Sequence, residues 1–262
     1  MKIALISDIH ANLQALEAVL SDLAARPGVE ATYHLGDLVG YSSQPNEVIA
    51  RIGAAGIAGV AGNYDSTVAT HYKHCGCRSE NPRQEELAHT SFEWTLANTS
   101  EEMKGVLGAL PFRLDIRPLG GHQAGPTVTL VHGNQVLNTV YTFEDRPDAT
   151  LVKIAVAVGA KAGDVIAVGH THLPWFRTVD LGEGKGVAYF INTGSVGRPK
   201  DGDWRAGYVL LDVGEGEPRV EFVRVEYDIE RTVAGVRAAG LPEDFVECLQ
   251  TGGKPAPSPS AA

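Results

Sequence analysis

Cysteine and methionine are scarce in this chain, at three and two among 262 residues. Three thiols do not make a disulfide framework, so the fold must close around an apolar core. The expectation is a reduced, cytoplasmic protein. Runs of Lys or Arg are missing too. With 22 basic against 32 acidic residues the formal charge is −10, which argues against a groove for a nucleic-acid backbone and against an anionic membrane as main partner. Long apolar runs are absent. The first, Ile3–Ile6, is four residues, too short for the core of a signal peptide. The longest apolar region, 151–168, is interrupted by Lys153, Lys161 and Asp164 and does not span a bilayer. Linker-like composition is missing before the end of the chain. A single domain over 1–250 follows, with a proline-punctuated tail over 251–262 that cannot bury apolar surface and is expected to be disordered. A small anionic, phosphorylated substrate stays compatible with the net charge, because bound metal ions would dominate the field of a site. So does a homo-oligomer.

What is present is an alternation of elements. A strand over 3–6 precedes a helix from Asn12, its N-cap, to Ala25, with Leu13, Leu16, Val19, Leu20 and Leu23 at helical spacing. A strand over 32–35, a helix opened by Pro45 and a strand over 57–61 complete a β-α-β-α-β order, which argues for parallel pairing with helical crossovers. Residues 66–83 have no clear periodicity. Helices are expected over 84–97, from Ser100 to Pro111, and over 148–158. From Phe112 onward strands dominate: 112–117, 127–131, 165–168, 175–181, 187–192, 208–213 and 220–226. Glycine-rich turns at 120–121, 182–186 and 214–216 mark hairpins between them.

Short polar clusters stand where these strands run out: Asp8-Ile9-His10, Gly36-Asp37, Gly62-Asn63, His132 and Gly169-His170-Thr171-His172. Strand ends on one edge of an α/β sheet are where such folds build sites. Two Asp, one Asn and four His form an oxygen and imidazole set suited to divalent first-row metals. Each cluster alone has a plainer account. Asp8 would serve as a helix cap, Asp37 and Asn63 fit glycine-led turns, and His170-Thr171-His172 would fit a polar turn. Leu173-Pro174-Trp175 after His172 departs from the HxHxDH run of metallo-β-lactamase-like folds.

Taken in order, Asp-x-His, Gly-Asp, Gly-Asn, His and Gly-His-x-His resemble the calcineurin-like metallophosphoesterase superfamily over roughly 1–208. The phrases Ser7-Asp8-Ile9-His10-Ala11-Asn12 and Asn192-Thr193-Gly194-Ser195 are most similar to its small bacterial and archaeal phosphodiesterase branch. The resemblance implies an α/β fold, a four-layer αββα sandwich of two mixed β-sheets. It implies one metal on Asp8, His10, Asp37 and His172 and a second on Asp37, Asn63, His132 and His170. Asp37 would bridge them through its two carboxylate oxygens. The metals, Mn²⁺, Fe, Zn²⁺, Co²⁺ or Ni²⁺, would sit about 3.5–4 Å apart around a shared hydroxide. The activity implied is a binuclear metal-dependent phosphodiesterase or phosphatase acting on small phosphodiesters or nucleotides. A dinucleoside polyphosphate pyrophosphohydrolase is one alternative. A non-catalytic metal-binding scaffold is another, opposed by seven intact ligand positions, since unneutralised polar groups buried together are costly.

One departure stands out. Many relatives have His where this chain has Tyr64, and a phenol with pKa near ~10 is a weaker acid than imidazolium near ~6.5. Tyr64 is either a substitute acid or a packing residue. The segment His71-Tyr72-Lys73-His74-Cys75-Gly76-Cys77 would lend His71 or His74 as the acid, hold a third metal through Cys75 and Cys77, or be an ordinary loop. Asn12 and Arg198 are candidate substrate contacts, against helix capping and a solvated loop charge. His34 reads as a core or supporting His, His89 as helical, His122 as a hairpin tip, and Trp94 and Trp175 as core.

Overall fold

The computed structural model describes residues 1–79, 81–118, 125–214 and 216–253. Its first sheet orders β10-β9-β1-β2-β3, built from β1 (Lys2–Ile6), β2 (Ala31–His34), β3 (Ala58–Gly59), β9 (Ala206–Asp212) and β10 (Arg219–Val225). β1, β2 and β3 are parallel, as the β-α-β-α-β order requires, and β9 returns antiparallel to β1. The second sheet orders β4-β5-β6-β8-β7, from β4 (Arg113–Ile116), β5 (Val128–Val131), β6 (Val165–Val168), β7 (Trp175–Asp180) and β8 (Val187–Asn192). Both sheets are mixed. β7 with β8 and β9 with β10 form the expected antiparallel hairpins.

Strand alternation shows how the layers stack. On β1, Ile3 and Leu5 pack with Leu130, Ala167 and Ile191 of the other sheet. Ala4 and Ile6 pack outward with Leu16 and Val19 of α1 (Leu13–Ala24) and Val48 and Ile52 of α2 (Pro45–Ala54). Beyond the second sheet, Ile166 and Val168 meet Leu151 and Ile154 of α6 (Asp148–Val158). Strands buried on both faces need near-continuous apolar sequence, which β5 and β6 have in VTLV and VIAV. The architecture is the four-layer αββα sandwich.

Helices account for the differences from expectation. α3 (Asn63–Ala69) starts at Asn63 itself, capped by the Asp65 carboxylate accepting from Gly62 N–H at 2.9 Å. It is too short for a readable period, and Thr67 and Thr70 bond back to Asn63 and Ser66 carbonyls. α4 (Pro82–Asn98) and α5 (Glu101–Gly108) lie near the expected places. α7 (Ile229–Ala238) and α8 (Glu243–Thr251) had no counterpart in the sequence reading. They form an apolar patch of their own through Val233, Val236, Phe245 and Leu249, against Tyr41 and Trp94. α8 runs to Thr251, and Gly252 accepts from Gly202 N–H, so the described chain stays packed to 253. Of the expected tail, 254–262 lies outside the described residues, as do the 120–121 turn and His122.

Candidate metal centre

The polar clusters converge because β1, β2, β3, β5 and β6 end on the same edge of the two sheets. The turns that follow are tight. Asp8, His10, Asp37, His170 and His172 all have φ between 49° and 66°, a left-handed backbone that costs an L-residue about 1–2 kcal/mol. Such strain at five adjacent polar residues marks a site rather than a set of ordinary turns. Close approach is secured by glycine: a Cβ on Gly197 would stand 1.7 Å from the Ile9 carbonyl oxygen, and one on Gly62 2.1 Å from Asp37 Oδ1.

Two donor groups result: Asp8, His10 and His172, and Asp37, His132 and His170, all buried. In the first, His10 Nε2 and His172 Nε2 face each other at 3.1 Å, and Asp8 Oδ1 lies 3.2 Å from His172 Nε2. In the second, His132 Nε2 lies 3.2 Å from His170 Nδ1, 3.1 Å from Asn63 Oδ1 and 3.4 Å from Asp37 Oδ2. Two ligand atoms roughly 2.0–2.1 Å from one cation at a tetrahedral angle stand about 3.3 Å apart, so these spacings suit a shared ion. Asp8 Oδ1 and His170 Nε2 are buried with no hydrogen-bond partner among the described residues. An unneutralised carboxylate in that state is costly. The residues fit divalent cations.

Supports outside the groups fix the ligand atoms. His10 Nδ1 donates to Val39 O at 3.0 Å, His132 Nδ1 to Leu35 O at 2.7 Å, and His172 Nδ1 to Arg198 O. Each bond puts the proton on Nδ1 and aims the Nε2 lone pair inward. Burial, then His172, lowers the His10 pKa to about 3, and burial pushes His170 and His172 well below the usual value. His132 differs. Burial opposes its charge, yet Asp37 outweighs that and raises it to about 9. Asp8 Oδ2 is held by Ser7 Oγ at 2.6 Å and His170 N at 3.0 Å, leaving Oδ1 free. Asp37 Oδ1 accepts from Tyr64 N at 2.9 Å. Asp37 Oδ2 faces both groups, 3.4 Å from His132 Nε2 and 3.9 Å from His10 Nε2.

The family model of the calcineurin-like phosphoesterase superfamily domain matches residues 1–216. The chain belongs to that superfamily. Calcineurin-like phosphoesterases are metal-dependent hydrolases of phosphoesters, and the donor groups suit that chemistry. An uncharacterized protein of Methanocaldococcus jannaschii is 34% identical over 261 residues, covering 95% of this chain and 98% of its own. The crystal structure of a metallophosphoesterase from Sphaerobacter thermophilus is 33% identical, with a TM-score of 0.72 over 96% of this chain and 100% of that one. A hypothetical protein of Pyrococcus horikoshii OT3, 23% identical, shares the fold with a TM-score of 0.77 over 97% and 99% of the two chains.

Within this phosphoesterase, several expected side-chain roles are corrected. Tyr64 is fully buried in the first turn of α3, and its hydroxyl donates to Ser91 Oγ of α4 at 3.0 Å. Burial also pushes its pKa well up. It is a packing residue, pressed against Gly40, and not a leaving-group acid. Asn12 is fully buried and fully used, accepting from Ala15 N and Thr232 Oγ1 and donating to Gly197 O, so it does not contact substrate. His71 is exposed and pairs with Glu101, while His74 is exposed and accepts from Gly76 N. Neither joins the donor groups as an acid. Among the described residues no third metal group contains Cys75 or Cys77. Instead the segment orients Asn63, whose Nδ2 donates to Cys75 O at 2.9 Å and Cys77 Sγ at 3.3 Å. His34 is a buried neighbour of His132.

Arg198 stands at the centre. Its carbonyl holds His172, its guanidinium carbon lies 3.9 Å over the Tyr41 ring, and its buried Nε has no partner among the described residues. Lys200, close enough to Asp8 to feel its charge, was not foreseen, though it follows Arg198 in the Gly-Arg-Pro-Lys run. Ser7, Ser195 and Asn192 were missed as supports. Ser195 Oγ donates to Asp8 O and Asn192 Nδ2 to Gly169 O, which gives the Asn-Thr-Gly-Ser phrase its physical task.

Proposed function

We propose that the two donor groups hold two divalent cations and that the chain hydrolyses small phosphodiesters or nucleotides. The observation that carries this is the position of Asp37 Oδ2, within 3.9 Å of an imidazole nitrogen of each group. Asp8, His10 and His172 would hold one cation, Asn63, His132 and His170 the other, and Asp37 both. Such cations supply Lewis-acid neutralisation of phosphoryl charge and acidify a water at neutral pH. The chain's own residues do the rest. Burial of the donors excludes bulk water and strengthens their field, and the carbonyl-bound imidazoles keep their lone pairs aimed without reorganisation. Arg198 offers an unpartnered Nε to a phosphoryl oxygen, with its guanidinium carbon 3.9 Å from the Tyr41 ring centroid.

Leaving-group chemistry narrows the substrate. With the Tyr64 hydroxyl turned to Ser91, no side chain where relatives carry His serves as an acid. Losing a well-placed general acid costs about 10²- to 10⁴-fold, least where the leaving oxygen needs little protonation. Aryl esters and phosphoanhydrides fit. A second reading, hydrolysis of dinucleoside polyphosphates, is favoured by Lys200 beside Arg198, a pair of cations for a longer phosphate chain. A scaffold role is opposed by the completeness of the donors. Three free thiols suit a reducing, cytoplasmic setting, and among the described residues no helix is long and apolar enough to cross a membrane.

The test is turnover of bis-p-nitrophenyl phosphate by protein refilled with Mn²⁺. Asp37→Ala and Asn63→Ala are expected to lower it by at least about 10²-fold with an unchanged circular dichroism spectrum. Near-normal rates in both variants would remove the mechanism. Comparing cyclic nucleotides with dinucleoside polyphosphates separates the two substrate readings.

A further inference from the structure

The segment between β5 and α6 carries an aromatic series whose outer ring the donor chemistry does not use. Tyr141 lies flat on the His170 imidazole, with ring centroids 4.0 Å apart and planes 24° from parallel. Phe143 continues the series beside Tyr141 at 5.7 Å, with planes only 7° apart. Phe143 is 36% exposed. The series thus runs from a candidate metal ligand to a ring that reaches solvent. Exposed aromatic rings gain little from folding, so nothing in the core requires Phe143 to stand there.

The segment is held rather than loose. Arg177 of β7 donates to the Glu144 and Arg146 carbonyls and pairs with Asp148, and Arg146 donates to Tyr141 O at 3.1 Å. On the other side Asn138 Nδ2 donates to Gly62 O at 3.0 Å and Ser66 Oγ at 2.9 Å, at the start of α3 beside Asn63. A pre-ordered aromatic surface binds a flat partner without an ordering cost. The Arg146 guanidinium carbon lies over the Phe143 ring, 5.8 Å from its centroid, and adds a cation beside the platform.

Resting on the phosphodiesterase reading, we propose that Phe143, backed by Tyr141, is a stacking platform for the nucleobase of a nucleotide substrate. A phosphate held by the donor groups would place a 5′-linked nucleoside within reach of Phe143, two ring steps from His170. Stacking is indifferent to base identity, because every base has a π-face. The platform therefore selects nucleotides as a class over phosphoesters of small aliphatic alcohols.

Two substrates sharing one scissile bond and leaving group test this: thymidine 5′-(p-nitrophenyl phosphate) and methyl p-nitrophenyl phosphate, with the Mn²⁺-loaded full chain. The expected result is a preference in kcat/KM for the thymidine ester that falls roughly 5- to 100-fold in Phe143→Ala, through KM, and is kept in Phe143→Tyr. An unchanged preference in Phe143→Ala overturns the platform. Should neither ester be cleaved, the phosphodiesterase reading fails by itself, and calorimetric binding of adenosine monophosphate against inorganic phosphate still decides. Tighter binding of the nucleotide, lost in Phe143→Ala, supports the platform, and equal nucleotide affinity in both proteins overturns it.

Discussion

The first donor group, Asp8, His10 and His172, and the second, Asp37, Asn63, His132 and His170, use the same residue types yet are held differently. Around the first, the supports are main chain or the turns that carry the ligands: Val39 O, Arg198 O, His170 N and Ser7 Oγ. Around the second, two ligands lean on loops. Asn63 depends on the Cys75–Cys77 segment, and His170 on the stacked Tyr141 ring. The imidazole pKa values differ as well: burial lowers His10 to about 3 and His172 well below the usual histidine value, whereas Asp37 outweighs burial at His132 and raises it to about 9. The first group rests on main-chain and turn atoms, and its imidazoles favour the neutral form. The second leans in part on neighbouring loop residues, and its His132 favours a proton that a cation must displace.

The sharpest way to break this contrast is to move the backbone on which the first group depends. Gly197 N donates to Asp8 O at 3.0 Å, and a Cβ there would stand 1.7 Å from Ile9 O, a main-chain atom that cannot swing aside. Gly197→Ala is expected to cost about 3 kcal/mol or more, measured by urea unfolding. Where protein remains folded, it should lose one of two bound metal ions by elemental analysis. Full stability with both ions retained would show that the first group tolerates backbone movement after all.

Protonation offers the next largest effect. Below a pKa of about 9 the His132 imidazolium must release its proton before Nε2 can bind a cation. Affinity at the second group should therefore rise about tenfold per pH unit up to that value, roughly 10²-fold between pH 6.5 and 8.5. Affinity at the first should be nearly flat there, because His10, at about 3, is already neutral. Calorimetric Mn²⁺ titrations in buffers of different ionisation enthalpy count the protons, with one released at the second site and none at the first. Equal release at both sites would erase the distinction.

The contrast also separates what was legible in the sequence from what was not. Asp8, His10, Asp37, His132, His170 and His172 were readable because each follows an apolar strand by a residue or a few. Strands that end on one edge must bring such residues together, whatever the loops between them do. Asn63 was readable too, although its neighbour was not. The direction of Tyr64 is set by α3, a seven-residue helix with no readable period, so its turn toward Ser91 could not be inferred. Asn12 carried the correct signal as a helix cap, and three hydrogen bonds at full burial leave it no other role. Tyr141 and Phe143 lie in a segment without regular structure, where no periodicity reports which rings meet. The same holds for Cys75 and Cys77. Their position near Asn63 in sequence suggested a third metal, as that of His71 and His74 suggested an acid, and only the amide geometry shows that Cys75 and Cys77 steady a ligand.

That support gives the finest test. Cys75 contributes a carbonyl, which substitution leaves in place, whereas Cys77 contributes its Sγ at 3.3 Å from Asn63 Nδ2. In Cys77→Ala the amide keeps one acceptor and loses the other, so Asn63 Oδ1 is less firmly aimed at the position 3.1 Å from His132 Nε2. Outer supports of this kind are worth about 10- to 100-fold in metal affinity when removed. The retained Cys75 bond puts the expectation near the lower end, at about tenfold. The loss should fall on the second, pH-dependent site alone, read as a shift in one of two dissociation constants. A matching shift at the first site would mean that the two groups share their supports through Asp37, and that the division between the two groups does not hold.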